Sequence, residues 1–288
     1  AGRVAILNLL GFSGRERNRT ELDVPPFLPL PDLLEKRSSL DSPQQNQDLY
    51  TDIWQGSFPA LVSGQVKDRE IFYSSYLRTY LERDVRDLAQ IGDEAAFLTF
   101  LKASAARTGQ ILNLSELARD ADVSVKTAKK WLSILQASYQ VFLLPPYFSN
   151  VTKRLVKRPK LYFLDTGLCA YLADWTTADA LAAGAMSGAI LETYVFGEIM
   201  KSWWNQAREP SIYYYRDKDC VEIDFVIVQD QMFYPIEVKK AATPKTKWAE
   251  SFTAIRRLGK IDRGGVVCLC REYLPLSSEI SAIPVRLI

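Results

Sequence analysis

The stretch Cys220 to Lys240, CVEIDFVIVQDQMFYPIEVKK, alternates apolar and polar residues on either side of a short polar interruption, so it predicts two strands joined by a tight turn. With Asp230 and Gln231 as the turn residues, the pairing sets Asp224 directly opposite Glu237, with Cβ atoms roughly 5 Å apart on one face. Lys239 shares that face, because strand side chains repeat every second residue. Two like charges placed this way destabilise a sheet unless a cation or a raised carboxyl pKa relieves them. Mg²⁺ is such a cation: it takes hard oxygen ligands, commonly one or two carboxylates completed by water and a substrate phosphate. The plainer reading makes Glu237 and Lys239 a surface ion pair and Asp224 a marker of the solvent face. Asp224 fits that reading poorly, since Ile223, Phe225, Val226, Ile227 and Val228 form the nearly continuous apolar run of a strand covered on both faces. A carboxylate there is costly unless it is paired or ligating. Pro235 cannot donate to a ladder, and an edge or bulge at that point would shift the register.

The segment AILETYVFGEIMKSWW predicts a helix from about Ala189 to Trp204. On a helical wheel Glu192 falls among Val195, Phe196, Ile199, Met200 and Trp203, with Glu198 nearer the rim of the apolar stripe. An acid on a buried stripe needs a partner. Glu192 is therefore either a third functional carboxylate or one half of a salt bridge to a core-edge arginine.

A second module is legible upstream. Ser115 reads as the N-cap of a helix (LSELARDA), Asp122-Val123 as a turn, and Ser124 as the N-cap of a second helix running VKTAKKWLSILQAS. That is helix-turn-helix spacing. Strands at Gln140 to Leu144 and Lys160 to Leu164, with a basic loop between them, would complete a winged helix. Lys126, Thr127, Lys129 and Lys130 open the second helix, where base or phosphate contacts commonly fall. Between Thr152 and Leu161 stand Lys153, Arg154, Lys157, Arg158 and Lys160 without an acid, a charge cluster suited to phosphates. Such modules also serve as protein-interaction or spacer domains, so the fold alone leaves DNA contact open. Trp131, Leu132 and Leu135 have core spacing, and Tyr213-Tyr214-Tyr215 reads as part of a buried strand.

The chemistry open to the chain is narrowed by what it lacks. There is no histidine in its 288 residues, which removes imidazole bases, His-ligated metals and Ser-His-Asp or Cys-His pairs. Cys169, Cys220, Cys268 and Cys270 lack zinc-ligand spacing and read as reduced thiols. A disulfide between Cys268 and Cys270 on one strand face is geometrically unattractive. Catalysis, if any, falls to carboxylates, lysine or a metal. The net charge of +2 does not by itself argue for nucleic acid, and 48% hydrophobic residues suffice for packed cores. No apolar run approaches the roughly 18 residues that span a membrane, and no secretory pattern opens the sequence. The expected setting is cytoplasmic, without membrane contact.

The first part of the chain carries fewer signals. Residues 23–65 are rich in proline and polar residues and suggest an exposed, adaptable segment, with Lys36 to Gln47 as loop or linker. Trp54, Phe58 and Pro59 are candidates to pin the segment down. From Glu70 to Asp87 the pattern is an amphipathic helix with Arg78, Arg83 and Arg86 exposed and Glu82 spaced to pair with Arg86.

The helix bearing Glu192, the strand bearing Asp224 and the strand bearing Glu237-x-Lys239 resemble the PD-(D/E)XK nuclease fold. By that resemblance Glu192, Asp224 and Glu237 hold one or two Mg²⁺ ions, and Lys239 orients the attacking water or stabilises the phosphate. A helix at Thr246 to Leu258, a buried strand at Gly265 to Leu269 and a first strand at Ser211 to Arg216 fit that core. In a wider resemblance, YLRTYLERDVRDL from Tyr76, RTGQILNLSELARD from Arg107, PKLYFLDTGLCAYL from Pro159 and the IDF…IEVK pair match in order a bacterial and archaeal family of predicted AAA-type ATPases. In that family an ATPase domain precedes a domain of unknown function combining a winged helix with a nuclease-like fold. The opening AGRVAILNLLGFS resembles the end of the ATPase core, so the chain is expected to begin inside a longer protein. No G-x-x-x-x-G-K-[ST] string occurs, and ATP binding is expected only in the full-length protein.

The resemblance implies an α/β protein in three parts. Residues 1–68 would be an ATPase remnant with linker, 69–168 a helical lid and winged helix, and 169–288 a mixed sheet flanked by helices of nuclease type. The expected function is metal-dependent cleavage of DNA, with Lys126, Lys129, Lys130, Lys153, Arg154, Lys157 and Arg158 on the substrate. The alternative is a non-catalytic DNA- or protein-binding module regulating the attached ATPase. Expected partners are DNA, the N-terminal ATPase core and further copies of the chain in a homo-oligomer.

Overall fold

The structure, a computed structural model, describes residues 7–20, 24–40, 49–85, 93–148 and 157–288. They form a mixed α/β protein of two compact units, each assembled from separate stretches of chain.

The helix-rich unit takes residues 47–144 and 158–194. Helix Val125–Ala137 begins where its sequence dictates, with the Ser124 side chain accepting from Thr127 N. Ala128, Trp131, Leu132 and Leu135 are buried at helical spacing, and Trp131 meets Phe97 and Phe100 edge-on at 5.3 and 5.6 Å. The preceding helix, Leu114–Asp120, is capped by Asn113 instead of the expected Ser115, an equally good cap two residues earlier. Asp122 turns the chain between the two helices with φ 52, a left-handed conformation that aspartate tolerates. Three short strands, β1 (Gln110–Ile111), β2 (Val141–Leu144) and β3 (Lys160–Phe163), form an antiparallel sheet in the order β1-β3-β2.

Aromatic packing holds the start of this unit. Trp54 donates to Trp175 O at 2.8 Å, and Phe58 lies 4.8 Å from Tyr76 and 5.3 Å from Phe72, so these two residues pin the segment as expected, while Pro59 is exposed. Helix Arg69–Thr79 is capped by Asp68 and continues as a π-helix, Tyr80–Val85. Arg78 and Arg83 are exposed, while Arg86 and its expected pairing with Glu82 lie outside the described residues. Asp165 caps helix Thr166–Leu172 through Leu168 N and also accepts from Ser57 N, Ser57 Oγ and Tyr73 OH, so one carboxylate fastens three segments.

The sheet unit takes residues 1–46, 145–157 and 195–288. Strands β4 (Ile212–Arg216), β5 (Glu222–Gln229), β6 (Met232–Lys239), β8 (Gly264–Cys268), β10 (Ile280–Pro284) and β9 (Leu274–Pro275) lie in that spatial order, with β7 (Lys260–Ile261) paired to β6. Pairing is antiparallel for β4/β5, β5/β6 and β10/β9, and parallel for β6/β8 and β8/β10. The hairpin turn is Asp230-Gln231, both at positive φ, the two-residue geometry that matches strand twist. Pro235 causes no bulge between β5 and β6: Val226↔Pro235 and Ile227↔Tyr234 continue one register. On its other side β6 pairs with β7 at Met232 and Phe233 and with β8 from Ile236 onward, so Pro235 falls where no ladder N–H is called for.

Two expectations are corrected in this unit. The PPFLPLPDLL segment is not exposed: Phe27 and Leu34 are fully buried, and helix Pro31–Ser39 takes in Lys36 to Ser39, with Arg37 buried. Pro31 at its first position has the φ a helix needs and no N–H to satisfy, which explains a helix in a proline-rich stretch. The continuous helix expected over 246–258 is a 3₁₀ turn, Thr246–Ala249, followed by one short helix, Phe252–Ile255. Its buried residues are Ala249, Phe252 and Ile255.

Candidate active site on the β5–β6 hairpin

The ladder between β5 and β6 ends at Phe225↔Ile236. One further step in the same register brings Asp224 opposite Glu237, but at that step the side chain replaces the backbone: Asp224 Oδ2 accepts Val238 N at 2.8 Å. Glu237 Oε1 accepts Lys239 Nζ at 2.5 Å, and the two residues share a face as alternation requires. Asp224 is 9% exposed and Glu237 7%, while the lysine side chain remains one-third accessible. Glu237 Oε2 is buried as well. Two buried carboxylates and a half-open ammonium therefore gather at the point where two central strands begin to separate. Phe225, one residue on and so on the opposite face, packs its ring against Phe196 at 5.8 Å.

Across the parallel ladder the neighbour of Lys239 is Cys268. A hydrogen bond with Cys270 draws the Cys268 thiol down to about 7, and Cys270 moves up as its partner. All four cysteines are free thiols.

The carboxylates of helix Ser187–Trp204 are distributed differently from the wheel. Glu192 belongs to the helix-rich unit, where its Oε1 accepts Lys160 Nζ at 3.0 Å and Tyr162 OH at 2.5 Å. Its partner is a lysine and a tyrosine where an arginine was expected. Lys160, read as part of a solvent-facing basic cluster, is buried. Glu198, expected at the rim, is only 5% exposed, accepting Lys201 Nζ at 2.9 Å and Gly14 N at 2.7 Å. From Val195 to Lys201 this helix is buried all round and has no rim, so the wheel misleads. A lysine three residues after Glu198 was the available signal for a buried pair. Among the described residues no group of three or more His, Cys, Asp or Glu side chains is placed to hold a metal ion.

Of the expected DNA-contacting residues, Lys126, Lys129 and Lys130 are exposed on helix Val125–Ala137, and Lys157 and Arg158 are exposed before β3. Lys153 and Arg154 lie outside the described residues. Thr127 Oγ1 is engaged with Ser124 Oγ at 2.8 Å. Among the described residues no helix is long and apolar enough to cross a membrane.

Residues 46–179 match the family model described as a domain of unknown function (DUF8612), and residues 187–288 match that of a second domain of unknown function (DUF4143). The chain is 30% identical over 233 residues to uncharacterized proteins of Mycobacterium bovis and Mycobacterium tuberculosis, covering 78% of this chain and 50% of each relative. It thus spans about half the length of the curated relatives it matches.

Proposed function

We propose that the chain is a metal-dependent DNA phosphodiesterase module of a longer AAA-type ATPase, with a winged-helix part that positions DNA. The observation that carries this reading is the hairpin constellation: buried Asp224 and Glu237 at the end of the β5–β6 ladder, with Lys239 beside them. The element order supports it too. Helix Ser187–Trp204, three antiparallel strands, a short helical segment and β8 parallel to β6 follow the sequence of the PD-(D/E)XK core. Helices Leu114–Asp120 and Val125–Ala137 with the small sheet support the winged-helix part in the same way.

The donor set suits Mg²⁺ or Mn²⁺, since two carboxylates plus water and a substrate phosphate make an adequate shell of hard oxygens. Bound there, the ion would polarise the phosphate and lower the pKa of a water. Lys239, held at Glu237 Oε1, would meet a phosphate oxygen as negative charge develops on it. Val238 N fixes the Asp224 carboxylate, limiting its rotation. ATP would be bound by the rest of the longer protein.

The test is cutting of supercoiled plasmid and branched DNA with Mg²⁺ or Mn²⁺. Wild type is expected to cut, with Asp224→Asn and Lys239→Ala each lowering the rate at least about a hundredfold while melting stays cooperative. Cutting that survives both substitutions sinks the assignment. A non-catalytic module regulating the ATPase is the second reading, and the absence of a three-ligand metal group among the described residues favours it. It predicts no cutting and no metal affinity.

A further inference from the structure

The basic face of helix Val125–Ala137 bears on how DNA is engaged, an inference that rests on the DNA reading above. The helix carries Lys126 in its first turn and Lys129 and Lys130 three and four residues on, and it has no acidic residue. Lysines at these spacings repel one another, and a cation in the first turn opposes the helix dipole. The opposite face is committed to the core through Ala128, Trp131, Leu132 and Leu135. Three placements that each work against the isolated helix lie together on its solvent side, an arrangement that a polyanion stabilises.

The groups around these lysines are poor readers of bases. Base edges are read by paired hydrogen bonds, Asn or Gln on adenine and Arg or Lys on guanine, and of these the N-terminal part of this helix offers lysine alone. Val125 is 48% exposed and offers no polar atom. The Ser124 and Thr127 hydroxyls are taken up with each other and with Thr127 N, and Ser133 Oγ donates to Lys129 O at 3.0 Å. Lysine is a compact charge on a flexible stem, well matched to phosphate and weakly directional. The helix has one planar amide, Gln136, near its C-terminal end, whereas base contacts in this motif come from the N-terminal part. We infer that this helix-turn-helix holds duplex DNA by its phosphates and does not select a sequence.

The experiment is fluorescence anisotropy of the full chain with unrelated duplexes in EDTA, so that no strand is cut, across about 50 to 200 mM salt. Affinities are expected to agree within about tenfold among sequences. Each of Lys126→Ala, Lys129→Ala and Lys130→Ala is expected to weaken every duplex alike and to make the log–log salt slope shallower by about 0.9. A duplex preferred by more than about a hundredfold, or a lysine variant that loses affinity for one sequence alone, overturns this inference and leaves DNA binding standing. No binding at the lowest salt overturns both. The substitutions lie on the exposed face, so unchanged melting curves separate lost contact from lost fold.

Discussion

Lys160 and Glu192 show how strongly one buried ion pair can constrain its surroundings. The lysine side chain is 3% exposed, and its ammonium has Glu192 Oε1 at 3.0 Å, shared with Tyr162 OH. Removing one partner of such a pair leaves the other charged and desolvated, which costs about 3–5 kcal/mol, whereas replacing both by apolar residues of similar size is often neutral. Glu192→Gln is therefore expected to lower stability in urea unfolding by about 3 kcal/mol, and the double change Lys160→Met with Glu192→Leu to recover most of it. Equal losses for the single and double variants would show that the pair is not the source. That Glu192 needed a partner was legible from its place on an apolar helix. The partner's identity was not, because Lys160 follows four basic residues and reads as solvent-facing, while β3 is buried at every position and shows no alternation.

At the level of elements, local chemistry was readable at several points where the chain punctuates itself, though not at Asn113 or Pro31. Ser124 starts its helix, Asp230-Gln231 turns its hairpin, and the register that follows pairs Phe225 with Ile236 as the alternation required. The bracket at Asp165 was not readable, since it joins residues more than 90 positions apart. Its geometry depends on two glycines. A Cβ on Gly167 would overlap the Tyr73 hydroxyl and lie 2.6 Å from both Gln55 O and Gly56 Cα, and Gly56 itself sits at φ +84. Gly167→Ala is expected to cost a few kcal/mol, because the bracket must open to admit the methyl group. Gly188, at the start of helix Ser187–Trp204, has nothing within 4 Å of its would-be Cβ, so Gly188→Ala is expected to be neutral or to stabilise by about 0.5–1 kcal/mol. Thermal melts of the two variants side by side check both signs, and a tolerant Gly167 would mean that the bracket is looser than its packing implies.

For the whole molecule, the order of residues along the chain is a poor guide to which of them fold together. The sheet unit draws on the proline-rich segment near residue 30: Phe27 and Leu34 are fully buried, Phe27 N donates to Ser202 Oγ at 3.0 Å, and Trp203 Nε1 donates to Phe27 O. Arg37, also buried, donates to Leu287 O at 3.2 Å and to Pro25 O at 2.9 Å, so a residue near one end of the chain satisfies a carbonyl near the other. Burying Phe27 and Leu34 contributes about 1.5–3 kcal/mol each, a large share of the 5–15 kcal/mol typical of a whole domain. A fragment restricted to residues 187–288, the span matched by one family model, keeps Ser202, Trp203 and Leu287 but lacks Phe27, Leu34 and Arg37. It is expected to melt without a cooperative transition and to expose apolar surface, while adding residues 24–40 as a separate peptide restores part of the transition. Circular dichroism melts with and without that peptide decide the matter: a cooperative transition for the fragment alone, at the full chain's temperature, would mean that the β-sheet is stable without the proline-rich segment.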